Sequence, residues 1–417
     1  TGGSATYGTR VTFTATLTCA DTLNGTVQFK CNGTNIGSAV ALSANSASYQ
    51  TDPITLDAGA ASVTADFIPS GTNCRFTSYA SNTCALTITP KSLSVSGLAA
   101  TAKTYDGTTD ITLSGGELTG VLTGDTVSAT YPTAGTAAQK HVGTRAVTYA
   151  AITLTGADRD NYTLSEQPSV SVAISPKPLT ITATAASRAY DGTTTASVSG
   201  VTFDGLVTGD TLASGVDYTA TGVFASADVA HDITVTVTVT LASTTSSNNY
   251  TLSSDTAATT ASITPKGITI TGVGATGRAY DGTTSVSLSG GTLSGLETAD
   301  ALNVGFDLHS GTLANADAGA AKAVTTAITL AGSRAGNYTL TQPTGVTVTI
   351  AKVPLTLTGA AADNKAYDGT RTATVTDAVV DGLVTGETMA YGTDYSATGL
   401  FDSADVGTDI KDRKSVV

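Results

Sequence analysis

The sequence predicts an all-β protein: a tandem array of β-sandwich, Ig-like domains forming an elongated rod. Three observations predict it. Apolar residues alternate with Thr and Ser at a period of two, as in "DITVTVTVTL" (232–241), where Ile233, Val235, Val237 and Val239 share one face. Seven or eight such segments, divided by Gly/Asp/Asn/Ser clusters, make up each unit, and none carries a helical period. One set of motifs then returns four times at nearly constant spacing, which marks tandem structural units.

The repeat is legible from its landmarks. "KTYDGTT" (103–109) returns as "RAYDGTT" (188–194 and 278–284) and as "KAYDGTR" (365–371). The tyrosines Tyr105, Tyr190, Tyr280 and Tyr367 lie 85, 90 and 87 residues apart. Each motif follows a Pro-Lys or Ala-Lys pair and a short alternating strand. "GVLTGD", "GLVTGD", "GLETAD" and "GLVTGE" come later, and Asn-Tyr-Thr-Leu begins at Asn161, Asn249 and Asn337. Segments 204–229 and 381–406 are identical at 19 of 26 positions, so a pair of domains is the expected unit of duplication. The expected domains are residues 1–90, then repeats at 91–176, 177–265, 266–351 and 352–417. A linker as short as Pro-Lys leaves little room for flexing, which is the basis for the rod.

Bulk properties narrow the function. Of 417 residues, 40% are hydrophobic, enough for cores, while 13% are charged. A net charge of −13 with only 20 Lys and Arg provides no basic surface, so no nucleic acid partner is expected, nor adsorption to anionic lipid. No apolar run is long enough for membrane insertion as a helix. The cysteines Cys19, Cys31, Cys74 and Cys84 cluster in the first domain, which predicts local disulfides, Cys19–Cys31 and Cys74–Cys84, in an oxidising compartment.

The recurring motif reads as a structural turn rather than a ligand site. In Tyr105-Asp106-Gly107, Tyr190-Asp191-Gly192, Tyr280-Asp281-Gly282 and Tyr367-Asp368-Gly369, the aspartate can bond its own backbone and the glycine can take positive φ. The tyrosine is expected to bury its ring and to bond a backbone group, with the preceding Lys or Arg covering the ring by its stem. No catalytic residue is expected, because His141, His231 and His309 occupy unrelated places in the repeats. No cofactor is expected and no metal ligands are spaced for a site, although loops 156–161 and 217–228 offer oxygen ligands for Ca²⁺ between domains. A covalent link from Lys91, Lys177 or Lys266 to the late asparagines is a further candidate.

Residues 25–37, "GTVQFKCNGTNIG", resemble the hairpin of bacterial surface Ig-like repeat modules, though the four cysteines depart from that pattern. The "[KR]-x-Y-D-G-T-[TR]" motif, the "GLVTGD" segment and the late "NYTL", in register over about residues 91–411, resemble the YDG domain. That domain occurs in tandem in large bacterial adhesins and haemagglutinin-like exoproteins. The resemblance implies an extracellular or bacterial cell-surface location, a non-enzymatic stalk, and partners on a host or neighbouring cell surface bound through other regions. The alternative is a multivalent carbohydrate-binding array, against which stand the absence of Trp and 6% aromatic residues. In the fourth repeat "KDRKSVV" replaces an alternating strand and resembles a translated adapter sequence, so this unit is expected to lack its last strands and expose apolar edges.

Overall fold

The computed structural model describes residues 3–71 and 79–416. Among these residues the fold is all-β, with four short 3-10 turns. The chain divides into two compact units, one of residues 1–182, 202–220 and 239–256, the other of 183–201, 221–238 and 257–417.

In the first unit, the opening module sets Thr12–Thr16 and Ser46–Gln50 against a larger sheet ordered Gly3–Thr6, Cys84–Thr89, Gly59–Pro69, Gly25–Cys31, Thr34–Asn35. Asn32 and Gly33, both at positive φ, form the two-residue turn that joins Gly25–Cys31 to Thr34–Asn35. Val27, Phe29, Phe67 and Ile88 fill the core between the layers. That core continues into the first repeat through Leu93 and Tyr162.

The first repeat has two larger sheets and a two-stranded one, Ser128–Thr130 against Thr153–Thr155. In one larger sheet, Lys91–Ser96 pairs antiparallel with Glu117–Thr119 and parallel with Tyr162–Leu164. The other runs Ala99–Ala100, Asp110–Ser114, Ala134–Ala137, Gly143–Tyr149, Val170–Ser175, Lys103–Thr104. Period-two patterning decides which face is buried: Val170, Val172 and Ile174 point inward, while Ser171, Ala173 and Ser175 face solvent. Lys177 pairs parallel with Tyr250 in the same way as Lys91 with Tyr162.

In the second unit, Lys266–Ala275 pairs antiparallel with Ser285–Ser294 and parallel with Tyr338–Thr341. The fourth repeat keeps Thr356–Thr358 against Val379–Asp381, and a sheet of Ala361–Ala362, Thr372–Thr376, Ala397–Phe401 and Asp412–Val416. This corrects one expectation: "DRKSV" does form a strand, antiparallel to Ala397–Phe401. The ladder uses backbone groups only, and charged residues suit a strand at the edge of a sheet. Exposed apolar side chains do collect in this repeat, at Leu355, Val379, Tyr391, Leu400 and Val406.

The Cys19–Cys31 bridge is also corrected, since both residues are free thiols. Cys31 ends a strand of the large sheet, whereas Cys19 follows Thr12–Thr16 in the opposite pair. Cys31 lies opposite Val63, and Val63 opposite Cys84. Two strand spacings of about 4.8 Å separate them, more than a disulfide spans. Burial pushes the Cys31 thiol pKa up, toward the unreactive form. Cys74, and with it the Cys74–Cys84 pairing, lies outside the described residues.

Equivalent positions of the first strand differ sharply in burial: Leu93, Leu179 and Ile268 are at most 2% exposed, Leu355 is 44% exposed. Leu179→Ala should therefore destabilise its repeat by about 2–5 kcal/mol, and Leu355→Ala by less than about 1 kcal/mol. Hydrogen exchange on Lys177–Ala185 and Thr356–Thr358 in the full chain measures both.

Candidate functional site

Each "YDG" segment closes on itself as a turn. Asp106 Oδ1 accepts from the Thr108 backbone N–H and hydroxyl, each at 2.9 Å, and from Lys103 Nζ at 2.8 Å. The same bonds form at Asp191 with Thr193 and Arg188, at Asp281 with Thr283 and Arg278, and at Asp368 with Thr370 and Lys365. Gly107, Gly192, Gly282 and Gly369 all have φ between +75° and +80°. Lys365 first, then the Thr370 donors, hold the Asp368 carboxyl at about 2. The charged head of each preceding Lys or Arg is bonded to the aspartate, and those of Arg188 and Lys365 also lie over Phe224 and Phe401.

The tyrosine reaches out of its own repeat. Tyr105 donates to Asp210 Oδ2 at 2.9 Å, and Tyr250 donates to the same oxygen at 2.6 Å. Tyr190 and Tyr338 both donate to Asp300 Oδ2 at 2.7 Å. In the opening module Tyr7, within "TYGT", plays the same part: it and Tyr162 donate to Asp125 Oδ2 at 2.8 and 2.5 Å. Each acceptor is the last residue of the "GLVTGD" segment in the following repeat, and the second phenol comes from that repeat's Asn-Tyr-Thr-Leu strand. The rings meet edge to face, with centroids 5.4, 5.5 and 5.4 Å apart. The expected backbone acceptor for the hydroxyl is thus replaced by a carboxylate from the next repeat. A charged acceptor makes the stronger bond and leaves no buried charge alone.

The acceptor loop is built alike in all four repeats, with a backbone bond from Asp125, Asp210, Asp300 or Glu387 to Leu122, Val207, Glu297 or Val384. In the first three repeats, that loop residue also donates its N–H to the second phenol oxygen at 3.1 Å. It also explains the motif glycine a second time, because a Cβ on Gly107 would lie 2.7 Å from Val207 Cγ1. Gly8 stands in the same relation to Leu122.

A second clasp uses the late asparagine. Asn161 Oδ1 accepts from Ala58 N–H at 2.6 Å while its Nδ2 donates to Asp57 at 3.0 Å. Asn249 engages Val142 N–H and His141, and Asn337 engages Val229 N–H and Asp228. These side chains point to the preceding domain, which explains why none is directed at Lys91, Lys177 or Lys266. Carboxylates of the two loops considered for Ca²⁺ are also engaged by protein donors: Asp158 by Thr126 N–H, Asp217 by Thr244 and Ala213 N–H, Asp228 by Asn337 and Arg334.

Only the last two tyrosines depart from this scheme. Tyr280 donates to Glu387, with no second phenol on that carboxylate among the described residues. Tyr367 is 67% exposed, against 2% for Tyr105 and 3% for Tyr190. Sequence reasoning missed the junction because it treated each repeat as self-contained. The available signal was a phenol, a carboxylate and a second phenol recurring in register with no partner inside one turn.

Tandem all-β domains clasped by side chains from both neighbours define a modular repeat protein. The chain belongs to the YDG domain family, which matches residues 89–169, 175–259, 264–345 and 350–412. A bacterial Ig-like domain (group 3) matches residues 1–89. No curated protein matches the chain. Among solved structures, it is similar to fibronectin(III)-like modules of Clostridium thermocellum at 16% identity and a TM-score of 0.17, covering 42% of this chain and 89% of that one. A bacterial ice-binding adhesin gives 16% and 0.22 over 62% and 92%. An adhesin by which an Antarctic bacterium binds ice gives 14% and 0.19 over 79% and 87%.

Burial first, and then the neighbouring carboxylate, raises the phenols: Tyr162, Tyr190 and Tyr250 to about 12, with Tyr7, Tyr105 and Tyr338 raised for the same reasons. A phenol whose pKa is higher folded than unfolded stabilises fully below its ordinary value of 10.0 and loses that contribution as pH rises through 12. Titration followed by phenolate absorbance should show these six tyrosines ionising late and together with loss of structure. The glycines give a second test. Gly107→Val and Gly369→Val share the positive-φ strain, worth more than about 1 kcal/mol, but only Gly107 also meets the next repeat. Thermal melting should show the larger loss for Gly107→Val.

Proposed function

We propose that the chain is a structural spacer of a secreted or cell-surface bacterial adhesin-like protein, non-enzymatic in this region. In this reading the domains divide as 1–90, 91–176, 177–265, 266–351 and 352–417, and other regions of the protein contact a host or neighbouring cell. One observation carries the reading: the most elaborate chemistry of every repeat is spent on its neighbour. Tyr105 and Tyr190 lie against the next repeat's carboxylate, and Asn249 and Asn337 against the preceding repeat's loop. Membership of the YDG family and the Ig-like opening domain support it.

The rival reading, a carbohydrate-binding array, needs exposed aromatic platforms in each repeat. The motif tyrosines Tyr105 and Tyr190 are buried, which favours the spacer. Small-angle scattering on chains trimmed by one repeat at a time tests the proposal. Each repeat should add a constant increment of roughly 30–40 Å to the maximum dimension, from strands rising about 3.3 Å per residue plus loops. A dimension that does not grow with repeat number would overturn it. Reproducible glycan binding that scales with repeat number would favour the rival.

A further inference from the structure

We infer that each shared carboxylate marks a site of oxidative modification, where a one-electron oxidant from outside the chain couples the two phenols into a covalent dityrosine bridge. The pairs are Tyr7 with Tyr162, Tyr105 with Tyr250, and Tyr190 with Tyr338. In each pair both hydroxyls donate to a single oxygen, of Asp125, Asp210 or Asp300, at 2.5 to 2.9 Å. Convergence on one atom draws the hydroxyl ends of the two rings together. With them come the ortho carbons, the positions at which phenoxyl radicals combine. The ring centroids already stand 5.4 or 5.5 Å apart, with the planes inclined by 77° to 80°. A carbon–carbon bond between them asks for movement of side chains, not of domains.

The carboxylate supplies the base that the chemistry needs. Each phenol gives one electron to the oxidant, and its hydroxyl proton moves along the existing hydrogen bond to the aspartate. An oxidised phenol is a far stronger acid than a carboxylic acid, so an aligned carboxylate takes that proton readily. The two protons leave in turn, the aspartate passing the first to water before it accepts the second. The two radicals then join ortho carbon to ortho carbon, and the ring hydrogen at each joined carbon shifts to the oxygen, restoring two phenols. Per bridge, two electrons go to the oxidant and two protons to water. The rings are buried, so the electrons leave through the surrounding protein. Asp125 and Asp210 are half-buried, which gives their protons a way out, whereas Asp300 is buried. The Tyr190–Tyr338 pair is therefore expected to couple last.

Another ring pair shows what the carboxylate adds. Tyr391 and Tyr395 lie as close, with centroids 5.5 Å apart and planes at 72°. Their hydroxyls, however, donate to two different backbone carbonyls, those of Ala397 and Ala378. A carbonyl is no base for an oxidised phenol, and the two hydroxyls are not drawn to one atom. That pair is expected not to couple. The inference does not depend on the spacer reading, since it follows from the paired phenols alone. Its consequence is a covalent tie between residues far apart in sequence, which restricts the unfolded chain as any long-loop cross-link does.

The test oxidises the full chain in dilute solution with a photoexcited ruthenium complex and persulfate. Digestion and mass spectrometry should find peptides joined at Tyr7–Tyr162, Tyr105–Tyr250 and Tyr190–Tyr338, each lighter by two hydrogen atoms than its two parts. Dityrosine fluorescence should rise in step, and the bridged chain should run faster on a denaturing gel. Tyr105→Phe should remove the Tyr105–Tyr250 bridge and leave the other two. Asp210→Asn keeps the size of the side chain but removes the base. It should lower the Tyr105–Tyr250 yield at least about tenfold relative to the Tyr7–Tyr162 bridge in the same molecules. Absence of all three bridges, or coupling mainly through exposed tyrosines such as Tyr79, would overturn the proposal. So would a Tyr391–Tyr395 link as abundant as the junction links, a Tyr190–Tyr338 bridge that forms first, or a Tyr105–Tyr250 yield unchanged in Asp210→Asn.

Discussion

One carboxylate oxygen accepting two phenols, one from each of two successive domains, is the interaction on which the rest of the structure depends. It occurs at Asp125, Asp210 and Asp300 with nearly the same distances and ring angles. An acidic group removed from water needs donors, and a phenol removed from water needs an acceptor. Asp210 finds one donor, Tyr250, within its own repeat, while Tyr105 of the preceding repeat finds its acceptor on the same oxygen, so satisfying that second phenol joins the repeats. At Asp210 burial works upward on the carboxyl pKa, but Tyr250 and Tyr105, with Lys140 and His141 nearby, outweigh it and keep the group ionised.

The turn and the clasp share residues. Asp106 ties the turn to Lys103 and Thr108, which fixes the strand that carries Tyr105 and leaves its ring fully buried. Gly107 then has two reasons to lack a side chain, its positive φ and the approach of Val207. In the first unit the cores are continuous across the joints: Leu93 and Tyr162 belong to the core of the opening domain, Leu179 and Tyr250 to that of the first repeat. Hydrophobic burial supplies most of the stability of such a joint, and the hydrogen bonds fix its register.

Much of this was legible in the sequence. The alternation in 232–241 placed Ile233, Val235, Val237 and Val239 on the face that is buried, and the glycine after each motif aspartate predicted a positive-φ turn. The junction was not legible, because nothing in one sequence says that Tyr105 pairs 105 residues onward rather than with its own backbone. Tyr7 was harder still, since "TYGT" lacks the aspartate that marks the other copies. Of the two expected bridges, Cys19–Cys31 is not formed: Cys31 ends a strand of the large sheet, and Cys19 follows the opposite pair, a placement that sequence spacing does not report. The charged segment after residue 411 formed a strand because edge pairing uses backbone groups, which a side-chain pattern does not report.

A double-mutant cycle between Tyr105→Phe and Asp210→Ala tests the central claim most directly. The free energy of local opening would be read from exchange of the Tyr105 amide, bonded to Ser175, and the Val207 amide, bonded to Tyr250. If one shared carboxylate couples the two repeats, each single change should loosen both amides, and the pair should be non-additive by about 1–2 kcal/mol. Additivity within about 0.5 kcal/mol, or an effect confined to the repeat that carries the substitution, would contradict it.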